Sequence, residues 1–298
     1  MKVLITGGGF IGCALARELI TAGHTVRILD VQGPTAATGL LDAIRDGVAD
    51  WRQGDVGRCE DVQAALDGCS HVVHLAALLT PACQAEPLRG AQVNLIGTLN
   101  VFEAARRAGV PHVVYASSAG VYGPHSAAYP EPATLYGTWK LAGEGIARAY
   151  LADNGITSVG LRPFVVYGAG RESGLSSGPS LACRAAARDQ PYDIPFSGRA
   201  GLVHVDDVVH AFAAALLPRR AGAFVFDLPG VVVAMEEVAA EIARQVPGAR
   251  IGVKGPPLPI APDITPPDFD DVLGPLPTTT LAAGIAATLA ACLPETAH

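Results

Sequence analysis

Between Lys2 and Pro163 the chain alternates short, almost wholly apolar runs with longer segments of helical periodicity. That alternation constrains the fold more than any other feature. The apolar runs are KVLIT, TVRIL, HVVHLAA, HVVYASS and ITSVGLRP, with the more polar DWRQGD between the second and third. Helices are predicted near 10–22, 38–46, 59–66, 91–108 and 134–153. Strands this apolar are buried on both faces, which requires helices above and below the sheet. Strand and helix taking turns at this spacing means β-α-β units, a parallel sheet and right-handed crossovers. Glycines in TAGH, LDGC, RRAGV and ADNGI stand where helices should stop, since glycine accepts the left-handed cap conformation.

After Phe164 the rhythm breaks. GAGRESGLSSGPS reads as a flexible glycine- and serine-rich loop, followed by a helix near 180–188. GLVHVDDVVHAFAAALL reads as a strand feeding a helix capped by Asp206 or Asp207. AFVFDLPG is a further strand and AMEEVAAEIARQV a further helix. VKGPPLPIAPDITPPDFDD is proline-dense and irregular, and the tail from Thr279 closes as a helix. The expected organisation is a nucleotide-binding domain over 1–164 and a smaller substrate-binding lobe over 165–298, partly interleaved with it.

Composition excludes several classes. The 298 residues are 50% hydrophobic and 16% charged, with a formal net charge of −7 and no basic block. Nucleic acid and anionic membrane are therefore not expected partners. No apolar run is long enough to cross a bilayer, and the N-terminal strand lacks a signal peptide's apolar core. Six scattered cysteines (13, 59, 69, 83, 183, 292) form no C-x-x-C pair, which is the pattern of reduced thiols in a cytoplasmic protein. The eight histidines show no metal-ligand spacing, so no metal is assigned. A structural hydrogen bond is expected of His204.

Gly7-Gly8-Gly9-Phe10-Ile11-Gly12 fits G-x-G-x-x-G between the first strand and the first helix. Gly7 permits the tight turn, Gly9 lets a pyrophosphate reach the backbone, and Gly12 lets helix and strand pack closely. Free N–H groups and the helix dipole then face the phosphates, and no acidic residue precedes Glu18 to repel them. Asp30, 18 residues after Gly12 at the end of the second strand, stands where a carboxylate binds ribose hydroxyls. Its charge disfavours a 2′-phosphate, so the expected cofactor is NAD rather than NADP. A plain glycine turn with a solvated Asp30 is the alternative.

Tyr136 and Lys140 lie four apart in LYGTWK, on one helix face, in a chain with three lysines in all. Upstream, YASSAGVYG ends a strand in two serines at the sheet edge where ligands collect. A phenol titrates near ~10 in water, too high for a neutral-pH base. A nearby ammonium and a nicotinamide cation are expected to lower it. Tyr136 would move the proton of a substrate hydroxyl while the cofactor moves the hydride. Ser118 would hydrogen-bond the same oxygen and Lys140 would hold the ribose. The alternative is plain packing, with Lys140 a surface charge.

With these motifs the chain resembles the extended short-chain dehydrogenases/reductases of the NAD-dependent epimerase/dehydratase family. The resemblance spans nearly the whole sequence, through GDV, HLAA, VNLIGTLNVFEAA, SSAGVYG, Tyr136-x-x-x-Lys140, LRPFVVYG and LVHVDDVV. It implies an α/β, Rossmann-type, doubly wound parallel sheet with a smaller C-terminal substrate-binding lobe. It further implies that the loop from Gly7 to Gly12, Phe10 and Ile11 included, holds the pyrophosphate. Asp55 and Val56 would flank the adenine, Leu75, Ala76, Ala77 and Asn94 would line the cofactor, and Pro163 to Val165 would meet the carboxamide. Ser118, the second serine of the doublet, would be catalytic with Tyr136 and Lys140. The glycine loop is one residue shorter than the family's usual T-G-x-x-G-x-x-G. Ala119-Gly120 replace the acidic pair of dehydratases, which argues against dehydration.

The diphosphate-gripping arginine of nucleotide-sugar members falls on Ala200, with Arg199 one step off. This favours a small sugar, sugar acid or hydroxy acid, with Thr80, Ser118 and Arg171 as candidate substrate contacts. Thr80 reads equally as a helix cap, and Arg171 equally as a solvated surface residue. Three functions remain open: a dehydrogenase or reductase, a UDP-glucose 4-epimerase-like enzyme with tightly bound NAD, and a non-catalytic NAD sensor. The helices near 91–108 and 134–153 carry small residues, and the resemblance implies that they pair in a homodimer.

Overall fold

The computed structural model describes residues 1–124, 129–261 and 269–292. Its strands are β1 (Lys2–Thr6), β2 (Thr25–Asp30), β3 (Ala49–Gln53), β4 (His71–His74), β5 (His112–Ala116) and β6 (Thr157–Pro163). After these come β7 (Val165–Tyr167), β8 (Tyr192–Ile194), β9 (Arg199–His204), β10 (Ala223–Leu228), β11 (Val231–Ala234) and β12 (Ile251–Val253). The helices of the first half are α1 (Phe10–Thr21), α2 (Leu41–Arg45), α3 (Cys59–Leu66), α4 (Thr80–Ala85), α5 (Pro87–Ala91), α6 (Gly97–Ala108) and α7 (Leu135–Asn154). Those of the second half are α8 (Gly178–Ala187), α9 (Val205–Ala215), α10 (Met235–Gln245), α11 (Asp270–Leu273) and α12 (Leu281–Cys292).

Seven strands form the main sheet in the order β10-β6-β5-β4-β1-β2-β3, every pairing parallel. This is the doubly wound Rossmann-type arrangement. Its order reverses between β1 and β4, and the crevice outside the strands' carboxyl ends at that reversal is where such sheets bind ligands. One core packs α1 and α9 against the sheet through residues such as Leu15, Ile28, Val208 and Phe212. A second packs α3 and α6 against the other face through Val62, Leu66, Phe102 and Tyr115. Val3, Leu4 and Ile5 are fully buried because both faces of β1 are covered. β10 joins the main sheet although it follows residue 164, while β7, β9 and β11 form a separate three-stranded sheet and β8 pairs with β12. A third core, with Tyr167, Phe196, Met235 and Ile285, underlies these smaller sheets.

Local stops follow the glycines. Gly23, Gly68, Gly109 and Gly155 all have positive φ, the conformation that ends a helix without steric cost. Thr134 caps α7, its hydroxyl accepting from the Gly137 N–H at 3.1 Å. Several elements differ from the sequence reading. Residues 80–91 hold two short helices, and the helix predicted from 91 starts as a π-helical stretch over Gln92–Ile96. Around 36–46 a 3₁₀ turn and the short α2 replace one helix. β7, β8, β11 and β12 are too short to show a pattern. α9 is capped by His204, whose Nδ1 accepts from the Asp206 N–H at 3.4 Å. The strand runs on through His204, so Asp206 and Asp207 fall in the first turn. Asp207 instead accepts two bonds from Thr279, each 2.7 Å. Part of the proline-dense segment, 262–268, lies outside the described residues.

His74 ties β4 to its neighbours. It is buried, shares a 2.7 Å hydrogen bond with the Thr6 hydroxyl, and lies 3.1 Å from that of Thr98. Burial, aided by the Lys140 charge, holds it neutral with a pKa of about 3. The unfolded chain therefore binds the extra proton first, and stability falls as pH drops below ~6.5. Between pH 7 and pH 5 this residue is expected to remove about 2 kcal/mol. Urea unfolding at the two pH values, with His74→Gln as the variant that flattens the difference, checks it.

Candidate active site

A cleft of about 610 Å³ opens over the carboxyl edge of the sheet, within the volume range of small-molecule sites. It is lined by Gly7, Gly9, Phe10, Ile11, Gly12, Asp30, Asp55, Val56, Leu75, Ala76, Ala77, Ser118, Tyr136, Lys140, Pro163 and Val165. Thr80 and Arg171 line it too. Parallel β-α-β connections explain this convergence, because each strand delivers its last residue to the same edge.

At one end, Gly7 has φ +93° and a side chain there would strike the Ala76 backbone at 2.7 Å. At Gly9 an added Cβ would meet nothing within 4 Å, so that backbone faces the open cleft. The first main-chain donor satisfied within α1 is Cys13 N–H, bonded to Gly9 O at 2.9 Å. The preceding N–H groups belong to the unsatisfied first turn, and no acidic residue stands there. A pyrophosphate fits these donors. At Gly12 an added Cβ would lie 1.9 Å from the Gly7 carbonyl oxygen. Gly12→Ala is accordingly expected to push the loop outward and raise the NAD dissociation constant about 5- to 150-fold, the ~1–3 kcal/mol of an overpacked site. Calorimetric titration with NAD checks this.

Asp30 lines the cleft and also braces the glycine loop. Its carboxylate accepts the Gly8 N–H at 2.7 Å and the Gln32 N–H at 2.9 Å, which fixes the glycine loop against β2. Asp55 is likewise braced, by Arg89 at 2.7 Å and the Gly57 N–H at 2.8 Å. Arg89 lines the same end of the cleft. It stands 34 residues from Asp55, and no local pattern in the chain pointed to it. Asn94 departs from the expectation. It is buried and absent from the cleft lining, its amide bonded to both the N–H and the carbonyl of Leu78 at 2.9 Å and to Cys83 Sγ at 3.2 Å. It shapes the wall from behind.

At the other end, Tyr136 and Lys140 project from the first turns of α7, and Ser118 follows β5. Ser118 hydrogen-bonds the Tyr136 phenol, and its Oγ accepts the Gly120 N–H at 3.0 Å. The Lys140 ammonium lies 5.7 Å from the Tyr136 ring centre and donates to the Ala116 carbonyl at 2.7 Å. Burial lowers Lys140 to about 8. Burial raises Tyr136 above its ordinary value, and the protein groups opposing that are the Ser118 hydroxyl and the Arg171 charge.

Arg171 is not a solvated arginine. Burial lowers its pKa to about 10, and its guanidinium donates to the Val166 carbonyl and to Ser176 Oγ at 2.9 Å. These bonds pin a loop that reads as flexible in the sequence. Thr80 is the first residue of α4, and its side chain makes no cap bond. Glu144, one turn beyond Lys140, accepts from Ser117 at 2.5 Å and from Arg162 at 2.8 and 2.7 Å. The stripe Tyr136, Lys140, Glu144 at intervals of four was visible in the sequence and is the signal by which Glu144 can be found.

The model for the NAD dependent epimerase/dehydratase family matches residues 3–225. The chain belongs to that family. Its members are NAD-dependent enzymes of the short-chain dehydrogenase/reductase type, and the cofactor is NAD. A UDP-glucose 4-epimerase of Mycolicibacterium smegmatis is 32% identical over 97% of this chain and 97% of its own. The Thermus thermophilus UDP-glucose 4-epimerase, solved in complex with NAD, superposes with TM-score 0.84 at 25% identity, covering 98% of this chain and 99% of its own. An L-threonine dehydrogenase from Cupriavidus necator has the same fold, with TM-score 0.85 at 24% identity, over 97% and 99% of the two chains. Among the described residues no group of three metal-ligating side chains occurs. Among the described residues no helix is long and apolar enough to cross a membrane.

Proposed function

We propose that this family member interconverts a secondary alcohol and a ketone on a small sugar, sugar acid or hydroxy acid, the acids being favoured. Bound NAD supplies a hydride acceptor at the Pro163–Val165 end. Tyr136 takes the hydroxyl proton as the carbonyl forms, Ser118 holds the same oxygen, and Lys140 holds the ribose and keeps positive charge near the phenol. Ala119 and Gly120 offer no acid or base beside Ser118, which supports simple oxidation over dehydration.

Arg171 carries the preference for acids. It is a half-buried cation in the cleft wall, near enough for its charge to act on Tyr136, and it forms no ion pair with an acidic residue among the described residues. A substrate carboxylate would complete it. Arg171→Gln is expected to lower kcat/KM on carboxylated substrates by about a hundredfold, within the range for a buried charge pair that loses one partner. Neutral alcohols should change little. A panel of hydroxy acids, uronic acids, aldoses and UDP-sugars, followed by NADH absorbance, measures both effects. NADH formed from UDP-sugars alone, with acids inert, would refute the proposal.

A second reading, epimerisation of a nucleotide sugar with NAD retained, is favoured by the near full-length likeness to the Mycolicibacterium epimerase. Against it, Ala200 and Gly201 line the cleft where that chemistry calls for an arginine, while Arg199 is exposed. Turnover of UDP-glucose without net NADH would decide for the epimerase. In either reading residues 165–298 supply the substrate lobe, and the chain acts in the cytoplasm as a homodimer through α6 and α7. Gel filtration tests the dimer.

A further inference from the structure

The proposed oxidation leaves the body of the substrate open, and the cleft wall beyond Ser118 and Tyr136 speaks to it. That wall is made by Leu79, Pro81, Phe164, Val166, Leu175 and Ile260. Three separate segments converge there. The stretch at Ile260 is tied down through the Ala261 N–H to the Gly123 carbonyl at 3.2 Å, beside the serine loop. Across the mouth, a Cβ on Gly174 would come within 3.2 Å of Leu79. The loop carrying Arg171 and Leu175 therefore closes against the start of α4.

Three polar side chains at this end are engaged, while Thr80 and Ser173 line it with no side-chain hydrogen bond among the described residues. Thr134 caps α7, Ser176 accepts from Arg171, and Glu172 pairs with Arg184 at 3.0 Å. A polyol chain needs a partner for each hydroxyl it buries, or it loses hydrogen bonds that water supplied. This wall offers few. Leu79 and Leu175 are instead 43% and 48% exposed at the mouth, apolar surface that a hydrocarbon would remove from water.

Resting on the oxidoreductase reading above, we infer that the substrate is a hydroxy acid with a hydrocarbon body: its carboxylate meets Arg171 and its chain lies along the Leu79–Leu175 wall. The hydroxyl-bearing carbon then falls between these two anchors, at Ser118 and Tyr136. The reaction is a balanced two-electron oxidation. The carbon gives a hydride to NAD⁺, the oxygen gives its proton to Tyr136 in its phenolate form, and a keto acid and NADH result, with one proton passed on to solvent when the phenolate is regenerated.

The test reads binding rather than turnover. The NAD-saturated protein is titrated calorimetrically with butyrate, hexanoate and octanoate, with gluconate as the polyol acid and UDP-glucose as the nucleotide sugar. The dissociation constant is expected to fall about fourfold per added methylene, and gluconate should bind more weakly than hexanoate. In Leu79→Asn and Leu175→Asn the gain per methylene should shrink below about twofold, while Arg171→Gln should weaken every fatty acid by a similar factor. A series flat in chain length, gluconate as tight as hexanoate, UDP-glucose tighter than either, or no carboxylate binding would each overturn the inference. NADH formation from a polyol acid alongside a flat series would leave the oxidoreductase reading standing and remove only this one.

Discussion

In Tyr136→Phe, kcat is expected to fall by about a thousandfold, within the 10²–10⁴ typical of a lost general acid–base group, while NAD affinity stays within about twofold. The substitution removes one hydroxyl and leaves the ring in place. Lys140 keeps its bond to the Ala116 carbonyl, and the glycine loop at the far end of the cleft does not touch residue 136. The loss is therefore confined to proton transfer. Single-turnover kinetics with the best substrate of the acid panel, set beside NAD titration, measure the two quantities separately. Unchanged turnover in this variant would remove Tyr136 from the mechanism and reopen the non-catalytic, NAD-sensing reading. Because burial raises the phenol and the Ser118 hydroxyl opposes that, Ser118→Ala should also move the rising, acid-side limb of the oxidation profile to higher pH.

The second large effect is on stability. Glu144 is 1% exposed and neutralises Arg162, which in turn donates to the Tyr122 hydroxyl at 2.6 Å and lies 3.6 Å from Asp227. Glu144→Ala leaves a buried guanidinium and the Ser117 hydroxyl without their shared acceptor. Breaking one side of such a pair costs about 3–5 kcal/mol, or on the order of 10 °C in Tm for a chain this long. Chemical denaturation followed by circular dichroism is the check, and a loss under ~1 kcal/mol would show that Asp227 takes over the charge. Ser117 adjoins Ser118, so activity should also decline at temperatures where the variant is folded. Glu144→Gln keeps the volume and one acceptor and should lose less.

The legible part of the molecule is the part written in local patterns. Strand, glycine turn, helix and Asp30 follow in order within thirty residues, and the backbone geometry they require is set by neighbours in the chain. Tyr136 and Lys140 were readable because helical spacing alone puts them on one face. Gly23, Gly68, Gly109 and Gly155 marked helix ends because only their own conformation was at stake. Where the reading departed from the structure, side-chain bonds that no helix or strand period encodes decided. Asn94 sits in the right helix, yet Leu78 and Cys83 capture its amide and draw it behind the wall. Arg171 looked solvated in a run of glycine and serine, but its guanidinium folds back to Val166 and Ser176.

The linear chain by itself determined the parallel α/β frame, the phosphate loop and the proton-transfer pair, because each depends on periodicity and spacing over a few residues. Tertiary packing alone decided that burial raises the phenol, that Arg171 is half-buried with no acidic partner among the described residues, and that leucines from separate segments line the substrate end. Burial and charge proximity are properties of the folded volume, and residues from separate segments of the chain, such as Leu79, Arg171 and Ile260, set them together.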